Sequence, residues 1–188
     1  MRSLPLLALA VAAVAGCSTP TTTERLGLSE LQTVDLVEVD RYLGDWFEIA
    51  SFPQDVQAGC TATNTTYTLR DDGEIDLVNR CRKDSLDGPE DIANGRARIV
   101  DTATNAKLEV SFFGPFWGPY WVIELGDTGD GEAKYSYAVV GHPSRDYLWI
   151  LSRERELSDE VYAGILERLG AVGYETDRLK KTLQPAAP

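Results

Sequence analysis

The chemically distinctive residues of this 188-residue chain are one histidine, three cysteines and a dense run of aromatics. His142 sits in G-H-P-S with no metal partner at ligand spacing, so it reads as part of a surface turn. No nucleophile elbow, phosphate loop, dinucleotide fingerprint or Cys-x-x-Cys pair is present. Ser152 lacks a nearby base. Glu48, if it faces inward, is expected to pair with an arginine rather than do acid–base work. These residues predict no enzyme, no cofactor and no metal. The aromatic run is F-F-G-P-F-W-G-P-Y-W over residues 112–121, with six aromatics in ten positions. Gly114, Pro115, Gly118 and Pro119 break a strand ladder, so a core strand cannot account for all of it. Aromatics with a polar tip suit a boundary between lipid and water.

The chain opens with the positive Met1-Arg2, an apolar stretch of 11 residues from Leu4 to Val14, and the small pair Ala15-Gly16 before Cys17. A membrane helix needs roughly 20 residues, so this stretch reads as a removable signal. V-A-G-C-S-T resembles the lipobox of bacterial lipoproteins. That resemblance implies that residues 1–16 are removed, that Cys17 is acylated, and that Ser18 directs the protein to the outer membrane, facing the periplasm. Residues 17–36 are expected to be a lipidated flexible tether, Thr-rich and polar as far as about Gln32. Cys60 and Cys81 are then an even pair in an exported protein, which predicts a disulfide. The net charge of −12 argues against nucleic acid and leaves no basic stripe for anionic lipid. R-C-R-K, Arg80 to Lys83, is a local basic cluster. Asn64-Thr65-Thr66 matches a glycosylation sequon that a bacterial lipoprotein signal makes coincidental.

Residues 17–188 fit one domain. Eight short β-rich runs follow: Trp46–Ser51, Thr61–Leu69, Ile75–Arg82, Gly95–Asp101, Lys107–Phe113, Tyr120–Leu125, Tyr135–Val140 and Tyr147–Arg153. Compact Gly/Asp-rich links between them suit hairpins. Eight such runs suggest an all-β antiparallel up-and-down barrel or a sandwich, closure removing the sheet edges. Ser158-Asp159-Glu160 then reads as an N-cap with first-turn acids, and Val161, Ile165 and Leu169 repeat at helical spacing. One amphipathic helix is expected against the barrel wall.

Eight strands and one helix, opened by G-D-W (Gly44 to Trp46) and closed by R-D-Y-L-W-I-L-S-R (Arg145 to Arg153), resemble the lipocalin family. L-R-D-D-G and K-L-E-V-S-F-F-G-P-F are similar to the bacterial outer-membrane branch, which is related to apolipoprotein D and the plant temperature-induced lipocalins. The resemblance covers about Val39 to Gln184, and the lipocalin domain is taken as 37–184 with 185–188 as a tail. It implies that Gly44 and Trp46 lie at the closed end of the barrel and that Arg153 packs across the indole, a cation–π contact of about 0.5–2 kcal/mol. The family's second motif, T-D-Y, is replaced by the longer G-D-T-G-D-G-E-A-K-Y.

With Trp46 at the closed end, the links after strands one, three, five and seven lie at the open mouth. Cys60 and Cys81 then meet at neighbouring strand ends. Phe116, Trp117 and Tyr120 are expected at the rim. If Arg153 points inward, alternation turns Leu151 and Trp149 inward too, with Leu108, Val110 and Phe112 on the fifth strand and Tyr67 on the second. Arg80, Arg82 or Lys83 is the candidate to receive a lipid phosphate or carboxylate. The expected function is a membrane-anchored lipid-binding protein holding a fatty acid or lysophospholipid in its barrel, for lipid transport, storage or repair in the envelope. The alternative is a structural envelope lipoprotein with a packed barrel and a docking aromatic loop. A homodimer is compatible with either.

Overall fold

The computed structural model describes residues 27–126 and 133–186; the signal segment, Cys17 and the first part of the tether lie outside them, as does most of the link after Leu125. Nine strands form one sheet: β1 (Gly44–Ser51), β2 (Cys60–Leu69), β3 (Ile75–Lys83), β4 (Glu90–Ile99), β5 (Lys107–Ser111), β6 (Gly118–Leu125), β7 (Tyr137–Gly141), β8 (Leu148–Ser152) and β9 (Lys180–Lys181). Helix α1 (Val39–Tyr42) precedes β1, and α2 (Asp159–Ala171) follows β8. Strands β1 to β8 pair antiparallel in chain order, and β1 pairs with both β2 and β8, so the sheet closes into a barrel.

The closure changes along β1. Its pairing with β2 ends at Phe47↔Asn64, while Ala50 and Ser51 pair with Lys181 and Lys180 of β9. A bulge in β2, with Ala62 at φ 49°, bends that strand away. The C-terminal segment fills the seam: Ala62 N–H donates to Leu183 O at 2.7 Å, and Gln184 Nε2 donates to the Glu48 and Thr63 carbonyls at 2.9 and 2.8 Å.

Two apolar clusters hold the fold. One lies inside the barrel, with Tyr42, Trp46, Tyr67, Leu77, Ala97, Leu108, Val122 and Val140 among its members. The other lies between the outer wall and α2, where Ile49, Phe52, Val139, Leu148 and Ile150 meet Ile165, Leu169 and Tyr174. Ser158 Oγ accepts the Val161 N–H at the start of α2, with Asp159 and Glu160 in its first turn.

Three sequence expectations are corrected. The tether ends earlier than residue 36: Leu31 is buried in the outer cluster, and Val34 N–H donates to Val122 O at 3.0 Å. Leu28, Leu31, Val34 and Val37 present an apolar side chain at every third position, which an extended segment can lay on the wall. Strand β4 begins at Glu90, not Gly95, because Glu90–Asn94 pair with Arg82–Val78 in spite of their polar composition. Gly118 and Pro119 belong to β6, since Pro119 faces Glu109 of β5 before the pairing with β7 begins at Trp121. A proline at a strand's start costs no ladder bond on its unpaired side.

Candidate functional site

The closed end is built from backbone carbonyls around one guanidinium. Gly44 takes φ +97°, in the left-handed region that glycine occupies most readily, and turns the chain into β1. Trp46 is fully buried, and its Nε1 donates to Tyr42 O at 2.8 Å. Arg153 stacks on the indole with Cζ 3.7 Å from the ring centroid. Its Nη2 donates to the Arg41, Tyr42 and Leu43 carbonyls at 2.9, 3.0 and 3.1 Å, its Nη1 to Asp45 O at 2.5 Å, and its Nε to Tyr135 O at 3.3 Å. Desolvation pushes its pKa down to about 10, which leaves it charged at neutral pH.

Above this floor, three buried tyrosines share their hydroxyls. Tyr120 Oη lies 2.7 Å from Tyr42 Oη and 2.8 Å from Tyr67 Oη. Burial pushes the Tyr67 phenol up to about 12 and the other two well above the usual value. The unfolded chain therefore ionises these groups first as the pH passes about 10. Their contribution to stability is complete below that pH and is lost as pH rises towards 12. Arg153 acts in the opposite sense there, as one group against three. Urea midpoints should accordingly fall as pH rises from about 10, with tyrosinate absorbance appearing together with unfolding. Full phenolic titration near pH 10 in a folded barrel would contradict this network.

Between the tyrosines and the mouth lies a cavity of about 680 Å³. Alternation decides its lining. On β3, Leu77, Asn79 and Cys81 face in; on β2, Thr63, Thr65 and Tyr67; on β8, Trp149 and Leu151; on β5, Val110, followed by Phe112. Gly95 has no side chain where the Phe112 ring lies: a Cβ there would stand 2.7 Å from that ring. Glu48 follows Trp46 on the inner face of β1 and is buried. Its carboxylate accepts from Ser51 Oγ and Gln57 Nε2 at 3.1 Å each and from Thr182 Oγ1 at 2.5 Å, not from the expected arginine, because the C-terminal segment reaches it first. Gln57 also accepts from Trp149 Nε1 at 3.3 Å. Thr63 Oγ1 is buried and has no hydrogen-bond partner among the described residues.

Of the residues expected to bind a ligand, Trp149, Phe116, Phe112, Val110, Tyr67, Leu151 and Tyr120 line the cavity. Tyr120 does so at the inner end with the other tyrosines, not at the rim, because β6 runs inward from Gly118. Leu108 faces in but is buried in the floor cluster below the cavity. Trp117 lies outside, stacked under Arg98 at 4.3 Å, since Arg98 flanks the inward Ala97. Arg80 borders the cavity, yet its Nη1 donates to Thr66 Oγ1 at 3.3 Å on the outer face. Arg82 is exposed and pairs with Glu90 at 3.8 Å. With Cys81 facing in, its two neighbours must face out, so neither guanidinium is placed to hold a headgroup inside the barrel. Lys83 is at the mouth, 3.3 Å from Asp91.

Thr63, Thr65, Asn79 and Gln57 form a neutral polar belt that was not picked out from sequence. Extending the Tyr67 and Leu77 alternation along β2 and β3 would have found the first three. Cys60 and Cys81 form a disulfide across a separation of 21 residues, worth roughly 3 kcal/mol on the chain-entropy model. His142 pins its own turn, with Nδ1 2.8 Å from Ser144 Oγ and accepting the Ser144 N–H at 3.1 Å; burial lowers its pKa.

A family model described as a lipocalin-like domain matches residues 37–184. Outer membrane lipoprotein Blc of Escherichia coli (strain K12) is 39% identical over a 189-residue alignment that covers 100% of both chains. Temperature-induced lipocalin-1 of Arabidopsis thaliana is 36% identical over 168 residues, 85% of this chain and 86% of that one. Apolipoprotein D of Mus musculus is 31% identical over 157 residues, 80% and 79% of the two chains. Among solved structures, insecticyanin of the tobacco hornworm Manduca sexta superposes with a TM-score of 0.62 at 20% identity, covering 82% of this chain and 85% of that one. Lobster apocrustacyanin A1 gives 0.60 at 18% identity, covering 79% and 81%. Both have the same fold as this chain.

Proposed function

The chain belongs to the lipocalin family, and from that premise we propose that it holds a fatty acid or lysophospholipid by its acyl tail inside the barrel, for lipid transport, storage or repair in the cell envelope. It is an outer-membrane protein, as its full-length relatives are by name. Acylation of Cys17 is the proposed anchor, with the domain on the periplasmic side.

The observation that carries this reading is the cavity itself. About 680 Å³ lies within the range of small-molecule pockets. Its wall is largely aliphatic and aromatic, as an acyl chain requires, and its polar groups are neutral apart from Glu48 and, towards the mouth, Arg80 and Asp91. Three donors already occupy the Glu48 carboxylate, Lys83 pairs with Asp91 at 3.3 Å, and the Arg80 and Arg82 guanidinium groups point outward. The tail therefore enters first, and the headgroup stays at the mouth.

Native mass spectrometry of gently purified protein should find co-purified lipid. In a series of fatty acids, each methylene taken into the cavity contributes up to about 0.8 kcal/mol, so affinity should rise up to about fourfold per methylene and level off once the cavity is full. An empty protein that binds no acid of any chain length would leave only the structural reading.

A further inference from the structure

The barrel has two ends, and the structure assigns them different surroundings. Leu28 lies against Gly173, at the far end of α2, and Ser29 O accepts from Arg145 Nη2 at 2.6 Å in the β7–β8 link. Tyr174 Oη likewise bonds His142 of the same link at 3.2 Å. That link is at the mouth, where Tyr147 lines the cavity. The described chain thus begins at the mouth end. Cys17 is ten residues upstream of Gly27, at most about 36 Å of extended chain.

The exposed apolar side chains point the same way. Val56, Phe113 and Phe116 are 75%, 72% and 77% exposed, and Ile92 and Tyr147 are exposed beside them. These five come from every part of the rim: the β1–β2 link, the start of β4, the aromatic β5–β6 link and the β7–β8 link. Exposed apolar residues rimming an opening mark a surface that meets another apolar phase. At the opposite end, the described links carry Arg70, Asp71, Asp72, Glu74, Asp101, Glu154, Arg155 and Glu156, and the exposed apolar side chains there, Leu36, Leu69 and Val100, are aliphatic and scattered among charges, with no aromatic among them.

We propose that the mouth faces the bilayer that holds the anchor, with the rim in contact with lipid, so that a tail passes between membrane and cavity without crossing water. The occupant of the rim is a lipid surface, because an anchored Cys17 brings one to the same end. Asp55, Asp84, Asp87 and Asp146 stand in the mouth links, and Arg82, Lys83, Lys180 and Lys181 stand at the same end of β3 and β9, so the rim carries both signs and the surface it fits is zwitterionic rather than anionic. The orientation rests on the proposed Cys17 anchor, and the transfer half rests on the carrier reading as well.

The test uses full-length acylated protein in phosphatidylcholine vesicles that contain nitroxide-labelled lipid. With Cys17 acylated and Cys60 bridged to Cys81, a cysteine introduced at Phe113 or at the exposed Ala103 is the one free thiol for a fluorophore. The Phe113→Cys label should be quenched several-fold more than the Ala103→Cys label. Equal quenching, stronger quenching at Ala103, or concentration-dependent pairing of copies through Phe113 would overturn the orientation. A second arm reverses mouth charges outside the cavity: Asp87→Lys with Asp146→Lys should speed uptake of a fluorescent fatty acid from anionic vesicles about fivefold, whereas Asp71→Lys should not. Affinity in solution for an uncharged fatty alcohol of the same length should stay unchanged in both variants. Acceleration by Asp71→Lys equal to that of the mouth pair sinks the proposal and leaves the carrier reading standing. A wild-type protein that binds no acid in solution sinks the carrier reading, while the quenching contrast still decides the orientation.

Discussion

Replacing Arg153 with alanine should cost roughly 3–5 kcal/mol of folding stability, the largest effect expected for a single substitution outside the packed core. The guanidinium donates to five carbonyls, those of Arg41, Tyr42, Leu43, Asp45 and Tyr135, and covers the Trp46 ring. Alanine removes a cation–π contact of about 0.5–2 kcal/mol and leaves several half-buried acceptors without a donor, each costing on the order of 1 kcal/mol or more. Lysine keeps the charge, but it lacks both the flat face that stacks on indole and the spread of donors, so Arg153→Lys should recover less than half of the loss. Urea unfolding measures both. A loss below about 1 kcal/mol for alanine would mean that α1 and the start of β1 are held by something other than this residue.

The second large effect concerns binding. Val110 faces the cavity from the mouth-side end of β5, opposite Gly118 and Ala97 of the flanking strands. Val110→Trp should place an indole in the space proposed for the tail. Excluding about three methylenes at ~0.8 kcal/mol each weakens fatty-acid binding by about 60-fold. The indole enters open volume rather than filled core, so the urea midpoint should stay close to that of the unsubstituted protein. Titration with a fluorescent fatty acid reads the first quantity. Unchanged affinity in a folded variant would put the ligand outside the barrel.

Much of this was legible in the chain. The eight strands and α2 follow from alternation and helical spacing, which are local properties: a half-buried strand must alternate, and an amphipathic helix must repeat every three to four residues. The same rule turned Trp149, Leu151, Val110 and Phe112 inward together with Trp46, because parity propagates along a strand without reference to its neighbours. Applied to Arg80 and Arg82, the same rule turns both side chains to the outer face beside an inward Cys81, so the headgroup contact expected of them is restricted to the outer edge of the mouth.

What the sequence determined by itself is the type of β1 to β8 and of α2, the faces that alternation gives within those strands and the pairing of Cys60 with Cys81, since these depend on order along the chain, whereas α1 and β9 emerged only with the fold. Tertiary structure alone decided depth and contact across space. It set Tyr120 at the inner end of the cavity with Tyr42 and Tyr67, gave Glu48 to Thr182 instead of an arginine, and laid residues 28–37 along the wall so that the chain enters at the mouth. These depend on strand stagger and on which distant segment reaches a group first. Closing the sheet fixes both, and no local pattern encodes them.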